Sequence, residues 1–209
     1  NPEVIVKIKE VGENRFNVIV EDNGPGIIKQ QIPRVFGKLL YGSKFFKLAQ
    51  TMGQQGLGVS VSVLYSQLTT GKATKIISKI SPNKPALYYE LKIDTHKNEP
   101  EIVKELTVDW EKERGTKVEI ELEGKYQKGK QSVDEYIKQI SIVNPHISIK
   151  YTNPENQKLD YPRVVDKLPA EPKEIKPHPH GIELGTLTKM LSTTSSTTLQ
   201  SFLQNDFCR

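Results

Sequence analysis

Asp22-Asn23-Gly24-Pro25-Gly26 separates two segments of the chain whose apolar residues recur with different periods. Before this stretch, apolar and polar residues alternate in two runs, which predicts a β-hairpin whose second strand ends at Asp22. The alternating residues are Val4, Val6, Ile8, Phe16, Val18 and Val20. Because two glycines and a proline cannot continue a strand, the quoted stretch itself predicts a turn. After it, apolar residues recur at helical spacing and predict a helix that Pro33 starts or kinks. These residues are Ile32, Val35, Phe36, Leu39 and Leu40.

The segment 53–65 supports two different structures. Its β-branched residues alternate with other residues between Val59 and Tyr65, and this pattern taken alone favours a strand. The three glycines that come first indicate instead a loop that leads into the N-terminus of a helix. These glycines are Gly53, Gly56 and Gly58.

The middle of the chain mixes further strands with a helix. Strands are predicted at residues 75–80, 87–93, 117–122 and 147–151, and a weaker one at 102–108. Ser132 and Glu135 have the spacing of a capping box, and the apolar residues that follow them recur at helical spacing. Hairpins mixed with helices predict an α+β two-layer sandwich rather than a strictly alternating parallel sheet.

The composition changes after Tyr161, where prolines become frequent and hydrophobic periodicity disappears. Residues 162–181 are therefore predicted to be a semi-rigid linker. Two short helices are expected beyond it, at 184–191 and 197–207, as the start of a second domain. We expect these helices to bury Leu187, Leu191, Leu199, Phe202 and Leu203.

The overall composition excludes several classes of protein. The 209 residues carry a net charge of +5 and 35% hydrophobic residues, which fits a folded domain and is compatible with a polyanionic partner. No apolar run approaches the roughly 18 residues that span a bilayer, so we expect no membrane association. The single cysteine, Cys208, excludes a disulfide framework and a cysteine-based zinc site.

Four short motifs could carry chemistry, and each also has a purely structural interpretation. The Asp22 carboxylate at a strand end could accept a hydrogen bond from an exocyclic amine such as that of adenine, or the stretch could be an ordinary polar turn. The glycine-rich segment 52–58 could bind phosphate, although it lacks the ending of a P-loop. Ser43-Lys44 suits a phosphate but equally suits a solvated surface, and Gly115-Thr116 could simply begin a strand.

Taken together and in this order, these motifs resemble the Bergerat ATP-binding fold, which gyrase, the heat-shock chaperone, histidine kinases and mismatch-repair ATPases share. Within this family, residues 39–45 and 53–58 look most like those of the B subunits of archaeal type IIB DNA topoisomerases (topoisomerase VI). Residues 176–181 are similar to the start of the helix-two-turns-helix domain that follows the ATPase domain in those subunits.

The resemblance implies a role for each matching residue. Asp22 would bind the adenine amine, Gly26 would allow close backbone approach, and Thr116 would support the adenine site. Ser43 and Lys44 would meet the phosphates. The backbone amides of the glycine-rich loop would wrap the β- and γ-phosphates. The full predicted nucleotide site is Asp22, Gly24, Gly26, Ser43, Lys44, Met52, Gly53, Gln54, Gln55, Gly56, Leu57, Gly58 and Thr116. In this family a helix follows the loop, so the resemblance overrules the strand that periodicity favours at residues 59–65.

The resemblance also implies partners and an incomplete site. The family binds ATP with Mg²⁺, and a helix before the first strand carries the general-base Glu and the Mg²⁺-holding Asn. Since the chain begins at Asn1, we expect both residues upstream of it, no catalytic residue or metal ligand within it, and essentially no ATP hydrolysis by it alone. The expected domains are an ATPase domain at 1–161, the linker at 162–181 and the start of the helix-two-turns-helix domain at 182–209.

The implied function is that of an ATP-driven dimer gate for DNA strand passage in the cytoplasm. The implied partners are a DNA-cleaving A subunit in an A2B2 heterotetramer, a second copy of the ATPase domain, and double-stranded DNA. Two alternatives remain open, namely another Bergerat-fold ATPase of the chaperone or kinase type, and a non-enzymatic DNA-binding module. His178 and His180 have metal-like spacing, but Pro179 between them and the absence of acidic or cysteine partners favour a loop.

Overall fold

The computed structural model describes residues 1–42, 53, 55–173 and 175–208. The chain divides into two compact units. The first consists of Asn1–Gly42 and Gln55–Pro169, and the second includes the chain from Ala170 onward.

The first unit contains eight strands and three helices in the described residues. The strands are β1 (Glu3–Gly12), β2 (Arg15–Asp22), β3 (Thr74–Lys79), β4 (Ala86–Asp94), β5 (Glu99–Val108), β6 (Gly115–Glu123), β7 (Ser148–Thr152) and β8 (Lys158–Tyr161). The helices are α1 (Ile32–Gly37), α2 (Gly58–Thr70) and α3 (Val133–Val143). The second unit contains a 3₁₀ turn at Pro179–Gly181 and the helices α4 (Leu184–Thr193) and α5 (Leu199–Asn205). Within the described residues, no helix is long and apolar enough to cross a membrane.

All eight strands form one mixed sheet in the order β5-β4-β3-β6-β2-β1-β7-β8. Strands β1 and β7 pair in parallel, and the other neighbours are antiparallel. Helices α1 and α2 contribute Ile32, Phe36 and Val63 to one buried cluster on the sheet, and α3 contributes Ile137 to a second. The predicted α+β two-layer sandwich is confirmed, including its opening hairpin.

Helix α2 confirms that the alternation at residues 59–65 does not form a strand. The buried positions of this segment are Ser60, Val63 and Ser66, which have helical spacing. The Ser66 hydroxyl donates to the Glu121 carbonyl oxygen of β6 at 2.7 Å, which fixes the helix to the sheet. Gly71 ends the helix with a φ of 70°, a left-handed conformation that suits glycine.

Helix α1 is shorter than the predicted stripe, because tertiary contacts end it at Gly37. Pro33 lies in its first turn, as predicted. The Asn98 side chain accepts the Leu39 backbone N–H at 2.8 Å and donates to the Leu39 carbonyl, so these groups leave the helical pattern. Leu40 has a φ of 60° and is 58% exposed rather than buried.

The two helices of the second unit form where predicted but bury fewer residues than expected. Phe202 is buried and packs edge-on against Phe207 at 5.4 Å between ring centroids. The loop between the helices is held by Asp206, which accepts hydrogen bonds from Thr194 and Ser196. The expected burial of three leucines is wrong, because Leu191, Leu199 and Leu203 are each at least half exposed.

Candidate nucleotide site

The Asp22 carboxylate lies at the end of β2 and has one oxygen fixed by the backbone. Its Oδ1 accepts the N–H of Gly24 at 2.7 Å and the N–H of Thr116 at 3.2 Å. No residue in the described ranges donates a hydrogen bond to Oδ2. Since two main-chain groups set the orientation of the carboxylate, Oδ2 is a preorganised acceptor for a ligand N–H.

Asp22 and Thr116 face the helix-covered side of the sheet. Side chains alternate along a strand, and Val18 of β2 and Ile120 of β6 both pack in the buried clusters on that side. Asp22 and Thr116 lie an even number of residues from them and continue the same rows. Thr116 is 7% exposed and forms part of the floor beside the carboxylate.

Two glycines in and beside the turn are required by close packing. Gly26 has a φ of 71°, and a Cβ there would lie 2.3 Å from the Lys79 carbonyl oxygen. Gly115 has a φ of 138°, and its Cβ would lie 2.1 Å from the Asp22 carbonyl oxygen. A Cβ at Gly24 would approach Asp22 Oδ1 to 2.9 Å. Gly24 and Gly26, both predicted site residues, therefore let the turn fold back on Asp22 and on the end of β3.

The sequence did not single out Ser78, Gly115 or Asn23 as individual site residues. The Ser78 hydroxyl of β3 accepts the Ile27 N–H at 2.7 Å, just after the turn. Gly115 was visible only as the neighbour of Thr116, and its positive φ could not be read from the sequence. A strand serine such as Ser78 carries no motif, so only the order of the strands brings it to the site.

Asn23 holds the start of the chain rather than facing the carboxylate side of the turn. Its side chain accepts the Glu3 N–H and donates to the Asn1 carbonyl, both at 2.8 Å. The Asn1 side chain in turn accepts a hydrogen bond from Arg163 at 2.9 Å. A cavity of about 580 Å³ opens here, lined by residues 1–3, 23–25 and 112–114. Lys112 on its wall pairs with Glu21 at 2.8 Å.

The beginning of α2 has the features of an anion site. Gly56 has a φ of 64°, and a Cβ there would lie 2.5 Å from the Tyr41 carbonyl oxygen, so the chain passes close to Tyr41. The first turn of α2 contains no acidic residue, and a Cβ on Gly58 would meet no atom within 4 Å. The backbone N–H groups of this first turn have no partner within the helix, and the helix dipole adds positive charge there.

The rest of the predicted loop is described only in part. Ser43, Lys44, Met52 and Gln54 lie outside the described residues. Gly53 has a φ of 71° with open space around it, and Gln55 is exposed. Leu57 is the residue immediately before α2. The structure thus brings Asp22, Gly24, Gly26 and Thr116 together, and it places Gly56–Gly58 at the helix start.

The described residues do not form a metal centre. No group of three His, Cys, Asp or Glu side chains among them could hold a metal ion. His178 Nδ1 accepts the His180 backbone N–H at 3.2 Å, which makes this pair part of the 3₁₀ turn. No Mg²⁺ ligand can therefore be assigned to the described residues.

Comparison with known proteins gives one family match and a consistent set of relatives. The family model described as "Histidine kinase-, DNA gyrase B-, and HSP90-like ATPase" matches residues 1–125. The B subunits of type 2 DNA topoisomerase 6 from Methanococcoides burtonii and Methanosarcina barkeri are 52% and 51% identical to it, each over the whole chain. The chain spans about a third of the length of these curated relatives, 34% in both cases. Among solved structures, the Aquifex aeolicus MutL ATPase domain complexed with ADP has 18% identity and a TM-score of 0.49, over 78% of this chain and 57% of that chain.

Proposed function

The chain belongs to the family of histidine kinase-, DNA gyrase B- and HSP90-like ATPases, and we propose that it is the ATP-binding part of the B subunit of a type II DNA topoisomerase. Membership of this family supports ATP as the ligand. Relatives at about half identity over the whole chain support the topoisomerase function over that of a chaperone or a kinase.

The observation that carries the proposal is the divided role of the Asp22 carboxylate. Its Oδ1 is held by two backbone N–H groups, whereas Oδ2 accepts none from the described residues. In our proposal Oδ2 accepts the exocyclic amine of adenine, and Thr116 supports the ring. A fixed acceptor selects a base that presents a donor, because a base with an acceptor there would leave both groups unpaired.

The phosphates would lie at the beginning of α2. Free N–H groups and the helix dipole favour negative charge there, and the residues from Gly56 to Gly58 leave room for it. Ser43 and Lys44, with the amides of Met52, Gly53, Gln54 and Gln55, are proposed to complete the phosphate contacts. Mg²⁺ is proposed to bind with ATP, and we assign neither its protein ligand nor the general base to the described residues.

For the whole protein we propose an ATP-driven gate over double-stranded DNA. ATP would join two copies through their nucleotide-binding domains, and a separate A subunit in an A2B2 assembly would cleave the DNA. Residues 1–161 would form the ATPase domain, 162–181 the linker, and 182–209 the start of a helix-two-turns-helix domain.

The test is relaxation of supercoiled DNA by the full-length protein with its A subunit. We expect relaxation to require ATP and to be lost in Asp22→Asn. Asp94→Asn is the matched control, because Asp94 Oδ1 also accepts two backbone N–H groups, from His96 and Lys97, in a turn between β4 and β5. Relaxation that does not depend on ATP, or that Asp22→Asn leaves at the wild-type rate, would overturn the proposal.

A further inference from the structure

Ser78 connects three parts of the fold beside Asp22. It lies near the end of β3 and is 1% exposed. Its hydroxyl oxygen accepts the Ile27 N–H at 2.7 Å and lies 3.4 Å from the carbonyl oxygens of Ile27 and of Gly115. One hydroxyl can accept and donate at the same time, so Ser78 can join the chain after the turn to the first residue of β6.

Both segments that Ser78 joins also touch Asp22. Gly115 packs on the Asp22 carbonyl oxygen, and the next residue, Thr116, donates to Asp22 Oδ1. On the other side, the turn returns to Asp22 through the Gly24 N–H. The two backbone donors that orient the carboxylate therefore sit on the two segments that the Ser78 hydroxyl holds together.

We propose that Ser78 is a positioning residue for the adenine site, acting through the backbone donors of Asp22. This inference rests on the proposed function, since it requires Asp22 Oδ2 to accept the adenine amine. Without the hydroxyl, the Ile27 N–H loses its acceptor, and the turn and the start of β6 lose their shared contact. The Asp22 carboxylate then keeps its charge but loses its fixed direction, so discrimination between bases falls more than overall nucleotide affinity.

The test compares non-hydrolysable analogues of ATP and ITP by calorimetry on the full-length protein. Hypoxanthine carries a carbonyl where adenine carries its amine, so wild-type protein should bind the ATP analogue at least about tenfold more tightly. In Ser78→Ala we expect this ratio to fall about tenfold, because one hydrogen bond that fixes the acceptor is lost. Ser78→Thr retains the hydroxyl and should preserve the ratio. Ser78→Cys fills the space of the serine with a weak acceptor and should lower the ratio, as alanine does.

Ser66→Ala is the matched control for the loss of a buried serine. Ser66 is fully buried and donates to a β6 carbonyl at 2.7 Å, but at Glu121 rather than beside Asp22. It should lower the melting temperature and leave the ATP-to-ITP ratio at the wild-type value. An unchanged ratio in Ser78→Ala and Ser78→Cys, or an equal loss of both nucleotides, would overturn this inference alone. Wild-type protein that binds neither analogue would overturn the proposed function and this inference with it.

Discussion

At the scale of single residues, Asp22 combines a structural and a binding role by using its two oxygens differently. Oδ1 closes the turn through Gly24 and ties it to β6 through Thr116. Oδ2 receives no such bond within the described chain. Since the backbone carries the cost of orienting the carboxylate, a ligand amine finds its acceptor already in place.

Gly26 should be far more sensitive to substitution than a glycine that has only a positive φ. Gly26→Ala combines a φ of 71° with a Cβ 2.3 Å from the Lys79 carbonyl oxygen, whereas Gly71→Ala has a φ of 70° with nothing within 4 Å. We expect Gly71→Ala to lower the free energy of unfolding by about 1–2 kcal/mol, and Gly26→Ala to lower it by a further 1–3 kcal/mol or so. Urea unfolding of both variants measures the difference. Equal losses in the two variants would show that the turn does not pack tightly on β3.

At the scale of elements, the segment 59–65 shows why local pattern alone can mislead. Its alternating β-branched residues favour a strand, yet three of the larger side chains, Val59, Val61 and Tyr65, are exposed. What α2 buries is Val63 with two serines, Ser60 and Ser66, which hydropathy does not register as a core face. The family resemblance identified the helix, and the packing of these small residues on β6 explains it.

Two other elements differ from the sequence predictions for non-local reasons. Helix α1 ends early because Asn98, about 60 residues away, takes the backbone groups of Leu39. Strand β8 was not predicted, since its four residues, KLDY, carry too short a pattern. It forms as an edge strand by pairing with β7 after the turn that Asn153 and Gln157 close.

Helix α3 is attached to the sheet by a carboxylate that two tyrosines share. Asp134, in its first turn, accepts hydrogen bonds from Tyr126 at 2.5 Å and from Tyr151 at 2.6 Å. Burial, and then the Asp134 carboxylate, raise the pKa of Tyr126 to about 12 from its ordinary value near 10. The same causes raise the pKa of Tyr151.

These pKa shifts predict a loss of stability in alkali. The folded state holds the Tyr126 proton to higher pH than the unfolded chain, so the contribution of Tyr126 is complete below pH 10 and is lost as the pH rises to about 12. Tyr126→Phe should lower stability at neutral pH and make the free energy of unfolding fall less steeply between pH 10 and 12. Urea unfolding at several pH values measures this slope. Tyr136→Phe, at a position that is 61% exposed, should leave the slope unchanged, and a Tyr126→Phe slope equal to that of wild type would contradict the assignment.

At the scale of the whole molecule, the sequence predicted the class of the fold and most of its strands but not their order. Alternation and turn residues locate each strand, because these are local properties. Placing β6 between β3 and β2 is a long-range choice, and it is this choice that brings Thr116, Gly115 and Ser78 to Asp22. The motifs therefore indicated Asp22 and Thr116 in advance, whereas the supporting residues required the sheet.

The central claim is that Asp22 Oδ2 binds an adenine nucleotide, and calorimetric titration of a non-hydrolysable ATP analogue into wild type and Asp22→Asn tests it most directly. Asparagine keeps an oxygen for the Gly24 and Thr116 N–H groups but replaces Oδ2 with a donor. We expect affinity to fall at least about tenfold while the melting temperature changes little, and Asp94→Asn to match wild type in affinity. Wild-type affinity in Asp22→Asn, or a large loss of stability with binding intact, would contradict the claim and make Asp22 a structural turn residue.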